Sequence, residues 1–126
     1  MDNIELVKLL LEHGADVNIK DDVDRKTPLY NACYKNKLNI AKLLLKHGAD
    51  VNIKDGYGLT PLYNACYYNN IELIKLLLEH GAGKDLDVNN LPDYITRNKQ
   101  IEDLVLSYLN KNKKTESIKI RRLYRL

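Results

Sequence analysis

The sequence predicts an all-α solenoid of stacked helix-turn-helix units joined by hairpin-like loops, and three observations predict it. Thr27-Pro28-Leu29-Tyr30-Asn31-Ala32-Cys33 returns 33 residues later as Thr60-Pro61-Leu62-Tyr63-Asn64-Ala65-Cys66. The run Leu43-Leu44-Leu45-Lys46-His47-Gly48-Ala49 returns at Leu76-Leu77-Leu78-Glu79-His80-Gly81-Ala82, and a third copy, Leu9 to Asn18, lies 34 residues before the Leu43 copy. Within each copy, apolar residues recur at helical spacing. A fixed period in this range marks stacked supersecondary units, none of which can bury its apolar face alone.

The chain opens on the second half of such a unit. Asp2-Asn3-Ile4-Glu5-Leu6-Val7 aligns with Asn69-Asn70-Ile71-Glu72-Leu73-Ile74, so the first predicted helix lacks the shorter helix that should precede it. Leu6, Val7 and Leu10 are expected to lack part of their cover. The open N-terminal end is therefore expected to self-associate or fray. The loop that follows, Ile19 to Lys26, is one residue longer than its later counterpart Ile53 to Leu59, and Asp24-Arg25 stand where Gly58 stands later.

Residues 53 to 82 show a whole unit. Ile53 to Leu59 is polar and rich in turn residues, which reads as a tight hairpin-like loop. Thr60 is placed to cap a helix through its hydroxyl, and Pro61 suits the first helical position, where a missing N–H costs nothing. Leu62, Ala65 and Cys66 make a stripe of small apolar residues at i, i+3 and i+4. Asn69-Asn70 breaks that helix and offers a cap for the next. Ile71, Ile74, Leu77 and Leu78 then form an apolar face, and Glu72, Lys75 and Glu79 mark the solvent side. Gly81 is expected in the left-handed region after the helix. His80 sits in the last turn, where a protonated imidazole complements the helix dipole.

The last unit is worn. Leu91-Pro92-Asp93-Tyr94 replaces the Thr-Pro-Leu start and Thr96-Arg97 replaces Ala-Cys, yet Ile101, Leu104, Val105, Tyr108 and Leu109 keep the helical period. A polar final unit with one apolar face is what a capping repeat needs. The net charge of +3 then divides unevenly. Residues 111 to 126 hold seven Lys and Arg against Glu116 alone, which leaves a mildly acidic body and a basic tail. As charge, that tail could attract nucleic acid, an acidic protein or a membrane surface. As structure, Ile120, Leu123 and Tyr124 fall at i, i+3 and i+4 and could cover the final unit. The structural reading is preferred, and nucleic acid is not the expected partner.

The unit starts and exits resemble the ankyrin repeat family, with Tyr30 and Tyr63 where the family usually has His. Gly14 to Asn18 and Gly48 to Asn52 match its exit segment, and Asp55 and Gly58 match its loop. The resemblance implies a half-repeat at 2–18, repeats at 19–52 and 53–83, a degenerate capping repeat at 84–110 and a basic tail, an extra capping helix at most, at 111–126. It implies a scaffold or adaptor that binds another protein through loop tips and the exposed side of the first helices. On this chain the matching positions are Lys20, Asp22, Val23, Lys26, Tyr34 and Lys35, then Lys54, Gly56, Tyr57, Leu59, Tyr67 and Tyr68. Tyrosines held on short helices are large amphipathic anchors that lose little freedom on binding. Tyr57 and Tyr67 are expected at the surface, Tyr30 and Tyr63 in the packing. Leu91-Pro92 followed by Ile95 has a faint likeness to the start of an F-box-like segment, which would imply a degradation adaptor.

Other chemistry is not expected. His13, His47 and His80 are repeat-equivalent, so stacking spaces them about 8–10 Å apart, too far to share a zinc ion with bonds near 2 Å. The same spacing keeps Cys33 and Cys66 beyond disulfide reach. Both are expected as small buried residues in a reducing compartment. There is no nucleophile–base–orienter set, no phosphate loop and no apolar run of membrane-spanning length. The expectation is a cytoplasmic, non-enzymatic protein without cofactor or metal; no secretory signal, myristoylation or prenylation motif is read at its ends.

Overall fold

The two Thr-Pro-Leu starts open two helices of equal length. In this computed structural model, which describes residues 3–125, the helices are α1 (Ile4–Glu12), α2 (Pro28–Tyr34), α3 (Leu38–Lys46), α4 (Pro61–Tyr67), α5 (Ile71–Glu79), α6 (Asp93–Thr96) and α7 (Lys99–Tyr124). The described residues contain no strand. Asp2, used in the N-terminal alignment, lies outside them, as do Met1 and Leu126. The short helices α2, α4 and α6 contact one another in sequence and form one layer. The longer helices α1, α3, α5 and α7 form the second layer behind it.

Local chemistry explains each boundary. Thr27 Oγ1 accepts from the Tyr30 N–H at 3.2 Å, which satisfies one of the free donors of the first turn of α2. Thr60 holds the same extended position before α4, but its side chain makes no capping bond. The cap expected from the sequence at Thr60 is thus realised only at Thr27. The short helices α2 and α4 each end at an asparagine in the left-handed region, Asn36 (φ 53°) and Asn69 (φ 58°), a conformation that a short polar side chain tolerates. Asn70 then occupies the cap position of α5 without a side-chain bond to it, so the cap offered there is also unused.

The second helices end on a His-Gly pair. Gly14, Gly48 and Gly81 have φ of 86°, 88° and 90°, where any side chain would be strained. The ring Nδ1 of His13, His47 and His80 lies 2.8, 3.0 and 2.9 Å from the carbonyl oxygen four residues earlier. Each imidazole donates its Nδ1–H to a carbonyl of the last turn; Leu9 O and Leu43 O also accept the backbone N–H of His13 and His47, whereas the His80 backbone N–H goes to Leu77 O instead. The exits are clipped to their neighbours. Asn18 Oδ1 accepts from the Asp50 N–H at 2.8 Å, and Asn52 bonds both Gly81 O and Gly83 N at 3.1 and 3.2 Å.

The core lies between the layers. Ala32, Cys33, Ala65 and Cys66 are buried, and both thiols are free. Their small size lets α2 and α4 pack side by side. Behind them Leu44, Leu45, Leu73, Ile74, Leu77 and Leu78 are buried, and Ile95, Ile101 and Val105 extend the core into the last unit. At the other end α1 repeats α5 almost residue for residue. Leu6 and Leu10 nevertheless stay half exposed, whereas their equivalents Leu73 and Leu77 are buried. Val7 packs against the core but stays only partly buried, whereas its equivalent Ile74 is fully buried.

The tail overturns its sequence reading. It is not a separate covering segment, because α7 runs on without a break to Tyr124. From Asn110 to Arg125 every residue is exposed, Ile120, Leu123 and Tyr124 among them. Ile120, Leu123 and Tyr124 keep their helical period, and Leu123 falls in line with Val105 at 100° per residue, but the stripe lies more than about 20 Å further along the axis. It cannot return to the body while the helix stays straight. The helix therefore projects about 20 Å past the last unit. No described helix is both long and apolar enough to cross a membrane.

Candidate functional site

The two complete loops between units are organised by aspartates. Asp55 Oδ1 accepts from the N–H groups of Tyr57 and Leu59 at 2.8 and 2.9 Å, and Asp55 N donates to Leu59 O at 2.8 Å. This closes the hairpin-like loop and turns Tyr57 outward, 76% exposed. Asp21 does the same in the longer loop, accepting from Asp24 N and Lys26 N. The Lys26 amide is the chief reason why the Asp21 carboxyl lies below its ordinary pKa. The loops stack directly, since Gly56 N donates to Asp24 O at 2.8 Å.

The positions named from the sequence separate into two groups. At the loop tips, Asp22, Val23, Lys54 and Tyr57 are exposed, Val23 at 87%. Lys20 is half-buried and spends its ammonium on Lys54 O at 3.2 Å. Lys26 is half-buried too, 3.5 Å from Asp24 Oδ2 and 5.5 Å above the Tyr30 ring. Leu59 is half-buried and lines a cleft. Lys35 is exposed at the end of α2.

The second group is a connected row of tyrosines on the short-helix layer. Tyr34 meets Tyr68 edge to face at 5.7 Å between ring centres, Tyr68 meets Tyr67 at 5.0 Å, and Tyr67 lies 5.7 Å from Tyr63. Tyr63 meets Tyr94 at 5.1 Å. Tyr34, Tyr67 and Tyr68 are each about half exposed. The Tyr34 phenol, hydrogen-bonded beside it, raises the pKa of Tyr68, and burial raises that of Tyr94. Arg97 closes the row. Its guanidinium sits 4.8 Å from the Tyr67 ring centre and donates to Tyr67 O at 2.6 Å. Among the described residues Tyr57 joins none of these ring contacts.

Sequence reasoning named Tyr34, Tyr67 and Tyr68 but missed Tyr63, Tyr94 and Arg97 as part of one surface. The sequence places Tyr63 in the packing. It does pack, but half-buried and as the bridge between units. In the sequence Tyr94 and Arg97 stand out only as departures from the unit pattern. The signal was their offset: Tyr94 stands at the place of Tyr63 in a worn start. Arg97 falls where the helix has already ended, because α6 has four residues against seven in α4.

Neither thiol is placed for chemistry. Cys33 and Cys66 are fully buried, and burial pushes both up to about 12. The nearby Arg97 charge offsets only part of that at Cys66. A family profile described as ankyrin repeats, in three copies, matches residues 1–90. The chain belongs to the ankyrin repeat family. The solved structures it resembles include the ankyrin repeat domain of Bcl-3, described as a unique member of the IkappaB protein family. That match has 34% identity and a TM-score of 0.72, and it covers 80% of this chain. This ankyrin chain spans 45% of the Bcl-3 chain it matches. No curated protein matches it. In all, 398 solved chains match, a breadth that identifies the fold and leaves the partner to the surface residues. Ankyrin repeats are in general protein–protein interaction modules.

Proposed function

We propose that this ankyrin protein is a non-enzymatic adaptor that holds a partner protein against the tyrosine row and the adjoining loop tips. The observation that carries this reading is the row itself. Five rings in contact cross three successive units, and three of them are half exposed. Tyrosine and arginine are the residues over-represented among hot spots. Here the rings brace one another and Arg97 is already bonded, so little side-chain freedom remains to be lost on binding. The buried free thiols fit a reducing, cytoplasmic setting.

Affinity capture from the native cell tests the reading, with the wild-type chain and a Tyr67→Ala/Tyr68→Ala chain as baits. A specific protein retained by the wild type is expected to be lost from the variant, its affinity lowered about 30-fold or more for a hot-spot pair. The variant should still fold, with its melting temperature lowered by no more than about 20 °C, since it loses three ring pairs that contribute about 0.5–1.5 kcal/mol each. Equal capture by both baits would show that the row is only inter-unit packing.

A second reading has one observation in its favour. The projecting part of α7 carries seven cations against Glu116, and helical geometry gathers Lys111, Lys114, Arg121 and Arg125 on one side of it. That is an exposed basic rod suited to an acidic surface. Binding through it should fall steeply between about 50 and 200 mM salt and disappear on deletion of residues 111–126. Binding that persists in the deletion would set the reading aside. Nothing favours the degradation-adaptor reading, because Leu91 and Ile95 are taken up in the core of the last unit.

A further inference from the structure

The tyrosine row ends at a cleft. Between the loop carrying Leu59 and the turn carrying Gly83 and Leu86 lies a cavity of about 210 Å³, with Leu62 in its floor and Tyr63 and Tyr94 in its wall. The last two rings of the row are therefore also the side of the hole. Gly83 keeps it open: a Cβ there would come within 3.0 Å of Leu86 Cδ1 and 3.5 Å of Leu62 Cδ2. The volume falls below the roughly 300–1,000 Å³ typical of small-molecule sites. It suits one apolar side chain rather than a metabolite.

The row itself suits an extended chain. Successive ring centres are 5.0–5.7 Å apart, so the five rings can underlie at most about six residues of an extended peptide. Half-exposed phenols can donate to its carbonyls. Charge selects further. Lys54 stands at the cleft, Arg97 on the row and Lys35 next to Tyr34. Among the described residues neither Lys35 nor Lys54 has a carboxylate partner. Against them stand Asp55 in the loop, Asp85 at the cleft and Asp93 in the first turn of α6. The Lys20 ammonium, 3.2 Å from Lys54 O, adds a fourth cation and leaves the strip net positive.

We propose that the row and the cleft form one site for an extended acidic peptide segment of a partner protein, with a single bulky aliphatic side chain seated in the cleft between Leu59, Leu62 and Leu86. This rests on the binding reading above and gives its partner a chemistry. The electrostatic share comes from complementarity that speeds and orients association. The anchoring share comes from the aliphatic group leaving water.

A displayed library of random 12-residue peptides, panned against the full chain, tests it. Enriched peptides are expected to carry excess Asp and Glu and one Leu, Ile or Met, and to bind at least tenfold more weakly at 500 mM than at 50 mM salt. The Leu59→Glu and Tyr67→Ala/Tyr68→Ala chains should each lose at least tenfold in affinity. On the unaltered chain, peptide-induced amide shifts should fall on α4 and residues 54–60, a readout that needs no variant to fold. Neutral or basic winners, no winners, or shifts confined to α7 or α1 would overturn the proposal. An empty library, with capture of a native protein still dependent on Tyr67 and Tyr68, would remove the peptide chemistry and leave the adaptor reading standing. Loss of dependence in both assays would remove both.

Discussion

Leu77→Ala is expected to cost about 2–5 kcal/mol of stability, and Leu10→Ala less than about 1 kcal/mol, although the two leucines occupy the same place in nearly the same nine-residue helix. The difference lies wholly in what covers them. Leu77 is fully buried, whereas Leu10 is 52% exposed. α5 is flanked by α3 and α7 and roofed by its own short helix α4. α1 has α3 on one side and no short helix of its own among the described residues. Truncating Leu77 therefore removes a side chain from water-free contacts and leaves a cavity, while truncating Leu10 removes a group still half in water. Urea unfolding of the two variants measures both costs. The comparison also tests whether the α1 face associates in solution. If Leu10→Ala proves as costly as Leu77→Ala, something covers α1, and a concentration-dependent sedimentation coefficient would identify that cover as a second copy.

That contrast shows how far the sequence could be read. The 33-residue recurrence was enough to place the helix pairs, the left-handed exit at Gly81, the burial of Cys33 and Cys66 and the exposure of Tyr57, because each depends on spacing within one unit. What the sequence concealed depends on relations between units. Thr27 and Thr60 precede the same Pro-Leu-Tyr-Asn-Ala-Cys run, yet only Thr27 makes its capping bond, and the loops that deliver them differ in length. The tail stripe Ile120, Leu123 and Tyr124 has a sound helical period, but whether it meets the body depends on whether the chain turns back, and α7 runs on without a break past the last unit. The tyrosine row was half visible. Tyr34, Tyr67 and Tyr68 stood out as large exposed residues. Tyr63 was hidden by its packing role, and Tyr94 and Arg97 by a unit whose start no longer matches its neighbours. Arg97 reaches Tyr67 only because α6 stops after four residues.

Raising the pH should destabilise the protein from about pH 9 upward, and the three groups with the largest shifts are two thiols and the Tyr30 phenol. Cys33 and Cys66 are each pushed up to about 12 by burial. Tyr30 is pushed up to about 12, first by burial and then by the adjacent Asp55 carboxylate, against an opposing hydrogen bond from Asn64. All three are neutral when protonated. The folded chain keeps these protons to about pH 12, whereas the unfolded chain releases thiol protons near 8.5 and the phenol proton near 10. Above those values the unfolded state binds fewer protons, so stability falls with pH. The contribution is fully present below pH 8.5 and is lost as pH rises towards 12. Each group that ionises only on unfolding steepens the loss by about 1.4 kcal/mol per pH unit. Two thiols therefore act between about pH 9 and 10, and Tyr30 joins above 10. The urea midpoint should stay level from pH 7 to 8.5 and then drop, and Cys33→Ala/Cys66→Ala should flatten the first part of the drop while leaving the part due to Tyr30. In the native chain at pH 8 both thiols should resist an aromatic disulfide reagent until urea is added. Rapid reaction at the rate of a free thiol would mean that the packed layer between α2 and α4 opens readily, and the alkaline transition would then lose its cause.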